Sequence, residues 1–404
     1  MAAPEHQVVA GFMPLLDSVL LVVAREMGLA SSEGLDLVLV RESSWANIRD
    51  RIAVGHFDVA HMLAPMPIAA ALRLTPLAVP VIAPMALGLG GNAVTVSSAL
   101  WRRLVDAGAR DDLDARTTGV ALRQVVKQRA GTLRFAVVHP HSGHNYELRY
   151  WLGASGIDPD RDVEILVLAP PLMPEALSQG SIDGYCVGEP WNSIGVDHGA
   201  HIATVKAAIW RSSPEKVLGV TEQWALRHPD VLAALLRALY RAAEWTGNRE
   251  NHEQAAEMLA QPAYLNLPAP LMHRGLSGLI DVGGAIRQVP DFFVPFARAA
   301  TFPWRSHALW FYSQMVRWGQ DSYTPARAEA AAATYRPDIY RDALGSLGAT
   351  IPSASSKVEG ALLRETPVGA IRGTLTLGPD GFFDGRIFDP AMLESYLADD
   401  RRGK

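Results

Sequence analysis

The stretch Leu35-Asp36-Leu37-Val38-Leu39-Val40-Arg41-Glu42-Ser43-Ser44-Trp45 runs from an apolar strand directly into a polar helix start. The same pattern recurs at His61-Met62-Leu63-Ala64-Pro65, at His141-Ser142-Gly143-His144 and at Gly188-Glu189-Pro190-Trp191. In an open α/β sheet such junctions lie along the carboxyl edge, where helix N-termini offer free N–H groups to an anion. The pattern therefore predicts an α/β fold with a site for a small anion.

Outward from these junctions, strands and helices alternate through the first half of the chain. Strands are predicted at 8–12, 35–41, 58–62, 78–83, 93–96, 134–138, 164–169, 182–187 and 216–221. Helices are predicted at 15–27, 45–54 and 145–154, each stopped by a glycine that tolerates a left-handed cap. Longer helices are expected at 229–247, 251–259, 304–318 and 325–335, before an irregular glycine-rich tail from 366 with a small strand at Leu-Thr-Leu near Gly373. This alternation is typical of mostly parallel sheets.

The strand-and-helix pattern forms two units. The second unit starts after the crossover at 93–96 and the chain returns near Lys216. We therefore expect two lobes joined by two crossing strands, with the ligand in the cleft between them. Lobe 1 is predicted to contain residues 1–97 and 213–404, and lobe 2 residues 98–212.

Composition excludes several classes of function. A chain of 404 residues with 49% hydrophobic and 20% charged content is expected to be globular with more than one lobe. Its net charge of -5 and its scattered Lys and Arg residues disfavour direct binding to nucleic acid or anionic lipid. The single cysteine, Cys186, cannot form an internal disulfide.

Targeting signals are also not evident. Residues 1–7 contain no Lys or Arg, and no apolar segment with a cleavage site follows, so we expect no export leader and a cytoplasmic protein. The weakly charged stretch 65–91 contains five prolines, which would interrupt a membrane helix repeatedly. We therefore expect no membrane association.

Catalytic and metal motifs are weak. The sequence has no phosphate-binding loop, no G-x-S-x-G elbow and no H-E-x-x-H helix. His139, His141 and His144 form H-x-H-x-x-H, but a strand-to-helix junction would direct these side chains apart, and no Cys or carboxylate sits at ligand spacing beside them. We predict no enzyme activity, no metal and no cofactor.

The junctions do offer anion chemistry. A planar monovalent oxyanion needs one compensating cation and several N–H donors in a mostly dry pocket. Lys216 could supply the charge, His144 a ring N–H, and Trp45 an indole N–H with a flat wall. Each also has a structural alternative: Lys216 as a surface lysine paired with Glu215, His144 as a neighbour of a helix cap, and Trp45 as core.

Eight segments resemble the nitrate- and bicarbonate-binding NrtA/CmpA family of solute-binding proteins and together span most of the chain. These segments are ESSWA (42–46), AHMLAPMP (60–67), GNAVT (91–95), LRYWL (148–152), GIDPD (156–160), CVGEPWN (186–192), PEK (214–216) and FFDG (382–385). The resemblance implies a two-lobed, periplasmic-binding-protein-like (type II) fold with nitrate contacts at Trp45, His144 and Lys216. Bicarbonate-binding members differ at the lysine, where an acidic residue acts with calcium, so Lys216 implies nitrate or nitrite without a metal.

Because no export leader is expected, the chain resembles the NasS-type members of this family, which are cytoplasmic nitrate/nitrite sensors. The resemblance implies that the anion-free protein holds a NasT-like ANTAR RNA-binding regulator inactive. The alternative is the substrate-binding component of a nitrate ABC transporter whose leader is missing. A third hypothesis, an enzyme using the cleft, lacks a nucleophile or an acid/base pair at the junctions.

Overall fold

The computed structural model describes residues 6–76, 79–128 and 131–402. The strands are β1 His6–Phe12, β2 Leu35–Arg41, β3 Val59–Leu63, β4 Val81–Ala86, β5 Leu89–Gly90, β6 Asn92–Val96, β7 Leu133–Val137, β8 Val163–Val167, β9 Gly184–Gly188, β10 His201–Val205, β11 Lys216–Thr221, β12 Leu279–Asp281, β13 Ile286–Gln288, β14 Phe293–Val294, β15 Thr366–Gly369 and β16 Thr374–Leu377. The predicted strand at 78–83 begins at Ala78, which lies outside the described residues.

The α-helices are α1 Val19–Glu26, α2 Trp45–Ala53, α3 Pro65–Ala71, α4 Ser98–Asp106, α5 Ala115–Lys127, α6 Gly143–Ala154, α7 Met173–Ser178, α8 Trp191–Asp197, α9 Lys206–Ile209, α10 Glu222–Arg227, α11 Pro229–Gly247, α12 His252–Ala260, α13 Ala269–Ser277, α14 Arg305–Arg317, α15 Pro325–Ala333, α16 Pro337–Leu344 and α17 Leu393–Arg402. Short 3-10 helices lie at Leu16–Ser18, Ser31–Glu33, Pro170–Leu172, Arg249–Asn251, Gly345–Leu347 and Pro390–Met392. No helix in the described ranges is long and apolar enough to cross a membrane.

Local capping explains why two of the junction helices begin where they do. Ser44 is extended and its hydroxyl accepts a hydrogen bond from the Asn47 N–H at 3.2 Å, which starts α2. Ser142 does the same for α6, accepting from the Asn145 N–H at 3.0 Å. An N-cap hydroxyl satisfies one of the free N–H groups in the first turn. The predicted helix starts at these serines are therefore confirmed. Trp45 and His144 lie in the first turns of α2 and α6, each of which is capped by a serine.

The first sheet has five strands in the order β2-β1-β3-β11-β4. β1 is parallel to β2 and β3, whereas β11 is antiparallel to both β3 and β4. Four of these strands therefore point the same way and β11 runs against them. β11 is the strand that returns from the other half of the molecule, and it places Lys216 opposite Leu63.

The second sheet has the order β10-β6-β9-β7-β8. Here β6 is antiparallel to β9 and β10, whereas β7 is parallel to β8 and β9. The chain passes from the first sheet to the second ahead of β6 and returns between β10 and β11. Strand β6, which the predicted division assigned to lobe 1, thus pairs in the second sheet, and the exact lobe boundaries stay a prediction.

The C-terminal part supports both sheets. Helix α11 packs against α1, and α14 packs against α3 and α6. The tail then reaches α6: the Tyr150 hydroxyl donates to Asp384 at 2.9 Å, and the Phe382 ring stacks on Trp210 with centroids 4.7 Å apart. The tail contains the β15–β16 hairpin, in which β16 is the small strand expected near Gly373, and it ends in α17, which was not expected.

Candidate anion-binding site

The three predicted site residues are all buried at element starts that face the crossover between the sheets. Trp45 opens α2, His144 is the second residue of α6, and Lys216 opens β11. Lys216 Nζ lies 5.4 Å from the centre of the Trp45 ring. His144 Nδ1 lies 3.3 Å from Glu215 Oε1, which in turn accepts from Lys216 Nζ at 2.8 Å. The fold therefore brings the three together, although their role as ligands stays a prediction.

Lys216 is fully buried and is not a surface lysine. Its side chain has no exposed surface, and Nζ donates to Asp17 Oδ2 and to Glu215 Oε1, each at 2.8 Å. The interpretation as a surface lysine paired with Glu215 was right about the partner and wrong about the burial. The physical reason is the position of β11 between β3 and β4 in the first sheet, which buries the start of the strand.

These contacts belong to a larger group, the buried charge cluster. Its members are buried side chains drawn from five separate stretches of the chain: Asp17, His61, His144, Glu147, Lys206, Glu215 and Lys216. Isolated charges are costly to bury, so buried charges occur as pairs. The cluster satisfies this requirement with alternating signs.

Glu215 is the centre of the cluster. Its Oε2 accepts from Lys206 Nζ at 2.6 Å, while Oε1 faces Lys216 and His144. Gly143, the first residue of α6, permits this approach: a Cβ at that position would lie 2.3 Å from Glu215 Oε2. The helix start and the carboxylate are therefore packed so closely that no side chain fits between them.

Lys206 ties the cluster to α6. Its Nζ lies 2.7 Å from Glu147 Oε1 and donates to the carbonyl of Pro214 at 2.7 Å. Glu215 is its second hydrogen-bond acceptor, while the Glu147 oxygen is a close ion-pair contact. Lys206 thus links the returning crossover to α6.

Protonation states follow from burial and these partners. Burial opposes ionisation of Asp17, but Lys216 and His61 outweigh it and hold the pKa of Asp17 at about 2. Burial likewise opposes ionisation of Glu215, yet His144, Lys206 and Lys216 hold its pKa well below the usual value. Burial raises the pKa of Glu147 to about 8, although Lys206 lies beside it.

Two lysines and two ionised carboxylates therefore balance at neutral pH. Burial also lowers the pKa of His144 to about 3, so the ring is neutral in the anion-free protein.

Two buried polar atoms beside Lys216 have no internal partner. The Trp45 indole Nε1 makes no hydrogen bond to any described residue, and neither does His144 Nε2. The Trp45 N–H without an acceptor carries a desolvation penalty of about 1–3 kcal/mol. Together with a histidine ring nitrogen beside a lysine, it fits a site whose anion supplies the missing acceptor.

The remaining junction residues serve other contacts. His139 Nδ1 accepts from the His141 N–H at 3.0 Å, and His141 Nδ1 lies 3.1 Å from the Tyr146 hydroxyl. Glu189 Oε2 accepts from the Ser193 N–H at 3.1 Å in the first turn of α8. Over the described ranges, no three His, Cys, Asp or Glu side chains are grouped to hold a metal ion.

Sequence reasoning did not select Asp17, His61, Glu147 or Lys206 as site residues. Glu147 and Lys206 carried a usable signal, since each is a charge next to strongly apolar neighbours, in Tyr146-Glu147-Leu148 and Val205-Lys206-Ala207. Charged residues are almost never fully buried unless they are paired. Their partners, however, lie on other elements and have no local signature.

Comparison with known proteins identifies the family and the fold. Residues 1–260 match the model of the NMT1-like family. The chain belongs to this family. The nitrate/nitrite binding protein NrtA of Synechococcus elongatus is 31% identical over 412 residues, covering 98% of this NMT1-like chain and 86% of the relative. The predicted resemblance to NrtA-type solute-binding proteins is thereby confirmed.

A second relative is longer than this NMT1-like chain. The nitrate import ATP-binding protein NrtC of Synechocystis sp. is 36% identical over 345 residues, which cover 84% of this chain and 50% of the relative. The chain thus spans about half the length of that relative.

The fold agrees with a solved structure. The periplasmic nitrate-binding protein NrtA from Synechocystis PCC 6803 matches with a TM-score of 0.85 at 24% identity, covering 98% of this chain and 99% of that one. The predicted solute-binding fold is confirmed, and the NrtA-type relatives agree with the prediction that the chain is a binding protein and not an enzyme.

Proposed function

We propose that the chain binds nitrate or nitrite between Trp45, His144 and Lys216. The observation that carries the proposal is the pair of unpartnered buried atoms, Trp45 Nε1 and His144 Nε2, beside the Lys216 ammonium within the described residues. A planar monovalent oxyanion supplies acceptors to such donors without needing any donor itself. The NrtA relative of Synechococcus elongatus is named as a nitrate/nitrite binding protein, which agrees with this choice of ligand.

The donor set also supports binding without a divalent metal. The carboxylates that could ligate calcium, Asp17 and Glu215, are already occupied by lysine ammonium groups at 2.6–2.8 Å. A cation placed there would meet Lys206 and Lys216 at close range. We therefore expect calorimetry to show nitrate or nitrite binding at about micromolar affinity, or roughly -8 kcal/mol, in the presence of a chelator.

Trp45→Phe tests the site directly. Phenylalanine keeps the flat apolar wall but removes the indole N–H, and a hydrogen bond to a charged group is worth about 1.5–3 kcal/mol. We expect nitrate affinity to fall by about tenfold to a hundredfold, with no loss of stability because an unpaired donor is removed. Titration calorimetry and thermal unfolding measure both effects.

Trp210→Phe is the matched control. Trp210 is also buried with an indole nitrogen that lacks a partner in the described part of the chain, but its ring stacks on Phe382, whereas the Trp45 ring faces Lys216. Its replacement should leave affinity unchanged. Equal losses in both variants, or none in Trp45→Phe, would remove the indole from the site.

We propose that the chain is a cytoplasmic sensor in which the bound nitrate or nitrite is the signal. Glu215, in the crossover that returns to the first sheet, contacts His144 and Lys206 from the second half and Lys216 from the first. An anion beside this residue therefore acts where the two halves meet. If it stabilises the closed arrangement, a NasT-like ANTAR regulator that prefers the anion-free form is released. Delivery of the anion to an ABC transporter is the alternative, and it would use the same closure.

A partner experiment separates the two roles. Size-exclusion chromatography with the regulator should show a complex that dissociates on addition of nitrate, and the regulator should weaken nitrate binding by the same factor. A complex that survives saturating nitrate and nitrite, or docking of the protein on a membrane permease instead, would contradict the sensor role. Anion binding itself would stand in either case.

A further inference from the structure

The charge balance of the cluster poses a problem for an incoming anion. Lys206 and Lys216 are matched by Asp17 and Glu215, and Glu147 is protonated at neutral pH. Nitrate would add one negative charge to a buried site whose charges already cancel. An uncompensated buried charge is strongly unfavourable, and such a site commonly responds by changing its protonation.

Four titratable groups of the cluster are unsuited to accept a compensating proton. Asp17 and Glu215 are held ionised by the lysines, and Glu147 already carries its proton. His61 has both ring nitrogens engaged: Nε2 lies 2.9 Å from Asp17 Oδ1, and Nδ1 accepts the Met13 N–H at 3.4 Å. A proton on Nδ1 of His61 would face that N–H donor.

His144 differs from His61 in this respect. No described residue donates to either of its ring nitrogens; Nδ1 faces Glu215 Oε1 at 3.3 Å and Nε2 is unpartnered. In the neutral ring one nitrogen carries no hydrogen and is an acceptor. If that nitrogen is Nε2, it repels an anion; if it is Nδ1, it cannot donate to Glu215. In the doubly protonated ring both nitrogens donate, Nδ1 to Glu215 and Nε2 to the anion.

We propose that the pocket binds its monovalent anion together with one proton, which His144 takes up. This inference rests on the proposed function and adds a proton as a second species that the same site takes up with the anion. The charged groups facing His144 are Glu215 just before β11, Lys216 at its start, Lys206 at the start of α9 and Asp17 in the 3-10 helix Leu16–Ser18, with Glu147 one turn along its own helix. The charges of these groups cancel in the anion-free protein. The added negative charge of the anion therefore determines whether the His144 ring is protonated.

Calorimetry in several buffers tests the proton uptake. Nitrate is titrated between about pH 6 and 7, where histidine titrates, in cationic buffers of different ionisation enthalpy so that no buffer anion competes. The slope of the observed heat against buffer ionisation enthalpy gives the number of protons taken up. We expect a value near one for the wild type, and nitrate affinity that weakens by up to tenfold for each unit of rising pH.

Two variants assign the proton. His144→Gln keeps an N–H donor but cannot be charged, so it should bind more weakly with uptake near zero. His139→Gln removes a histidine outside the cluster and should keep the wild-type uptake. If His144→Gln does not fold, the ring nitrogen resonances of wild-type His144, followed by NMR on adding nitrate, report the same protonation.

The outcomes are distinct. Nitrate binding without proton uptake, or uptake that persists in His144→Gln, overturns this inference and leaves the proposed function in place. No heat with either nitrate or nitrite at any pH overturns both.

Discussion

Lys216→Glu is expected to abolish nitrate binding and to destabilise the protein strongly. The substitution places a third carboxylate against Asp17 and Glu215 and removes the ammonium that both contact at 2.8 Å. Breaking a buried ion pair in this way costs roughly 3–5 kcal/mol. Urea denaturation should therefore show a large fall in the unfolding midpoint.

A charge-balanced variant separates binding from folding. Asp17→Asn combined with Lys216→Met removes one charge of each sign, while Glu215 keeps Lys206 at 2.6 Å. We expect this double variant to recover most of the lost stability but to bind no nitrate. Nitrate binding at wild-type strength in the double variant would exclude Lys216 as the cation of the site.

Lys357→Met supplies the matched control. Lys357 is another largely buried lysine, paired with Glu359 and Asp380 in the C-terminal part of the chain and not in the cluster. Its loss should lower stability through the same physical effect but leave nitrate affinity unchanged. A Lys216→Glu variant as stable as the wild type would show that the cluster contributes little to folding.

Glu147→Gln is expected to flatten the pH dependence of stability between about pH 5 and 8. Burial raises the pKa of Glu147 from 4.5 to about 8 in the folded protein. Within this window the unfolded chain has lost the proton and the folded chain retains it, so stability falls as pH rises. Each pH unit costs about 1.4 kcal/mol, which amounts to several kcal/mol over the window.

The variant removes this penalty because glutamine is neutral in both states and its amide oxygen can still accept from Lys206. The measurement is the free energy of unfolding from urea titrations at the two ends of the window. Relative to the wild type, Glu147→Gln should gain stability at the upper end and change little at the lower end. Glu164→Gln, on the exposed face of β8, serves as the control. Coincident profiles for Glu147→Gln and the wild type would show that Glu147 is ionised when folded.

The elements that follow from local rules were predictable. Strands β2 and β11 and helix α11 have the bounds expected from apolar pattern and terminators, and α2 begins at the predicted residue. Several elements were not predicted, and two of them show why. Strand β10 is short, and its pairing with β6 joins residues about a hundred positions apart; α17 lies in a tail whose glycine content suggested no helix.

The sequence by itself determined the α/β class, the capped helix starts that present Trp45 and His144, and the family to which the chain is similar. The class and the helix starts follow from short-range periodicity and from hydroxyl-to-backbone hydrogen bonds within a few residues. The family follows from the resemblance of the eight segments. Only the tertiary structure decided that Lys216 is buried and bonded to Asp17, a residue 199 positions away. The physical reason is that β11 enters the first sheet against the other strands, and the burial this creates forces lysines and carboxylates from distant segments to pair.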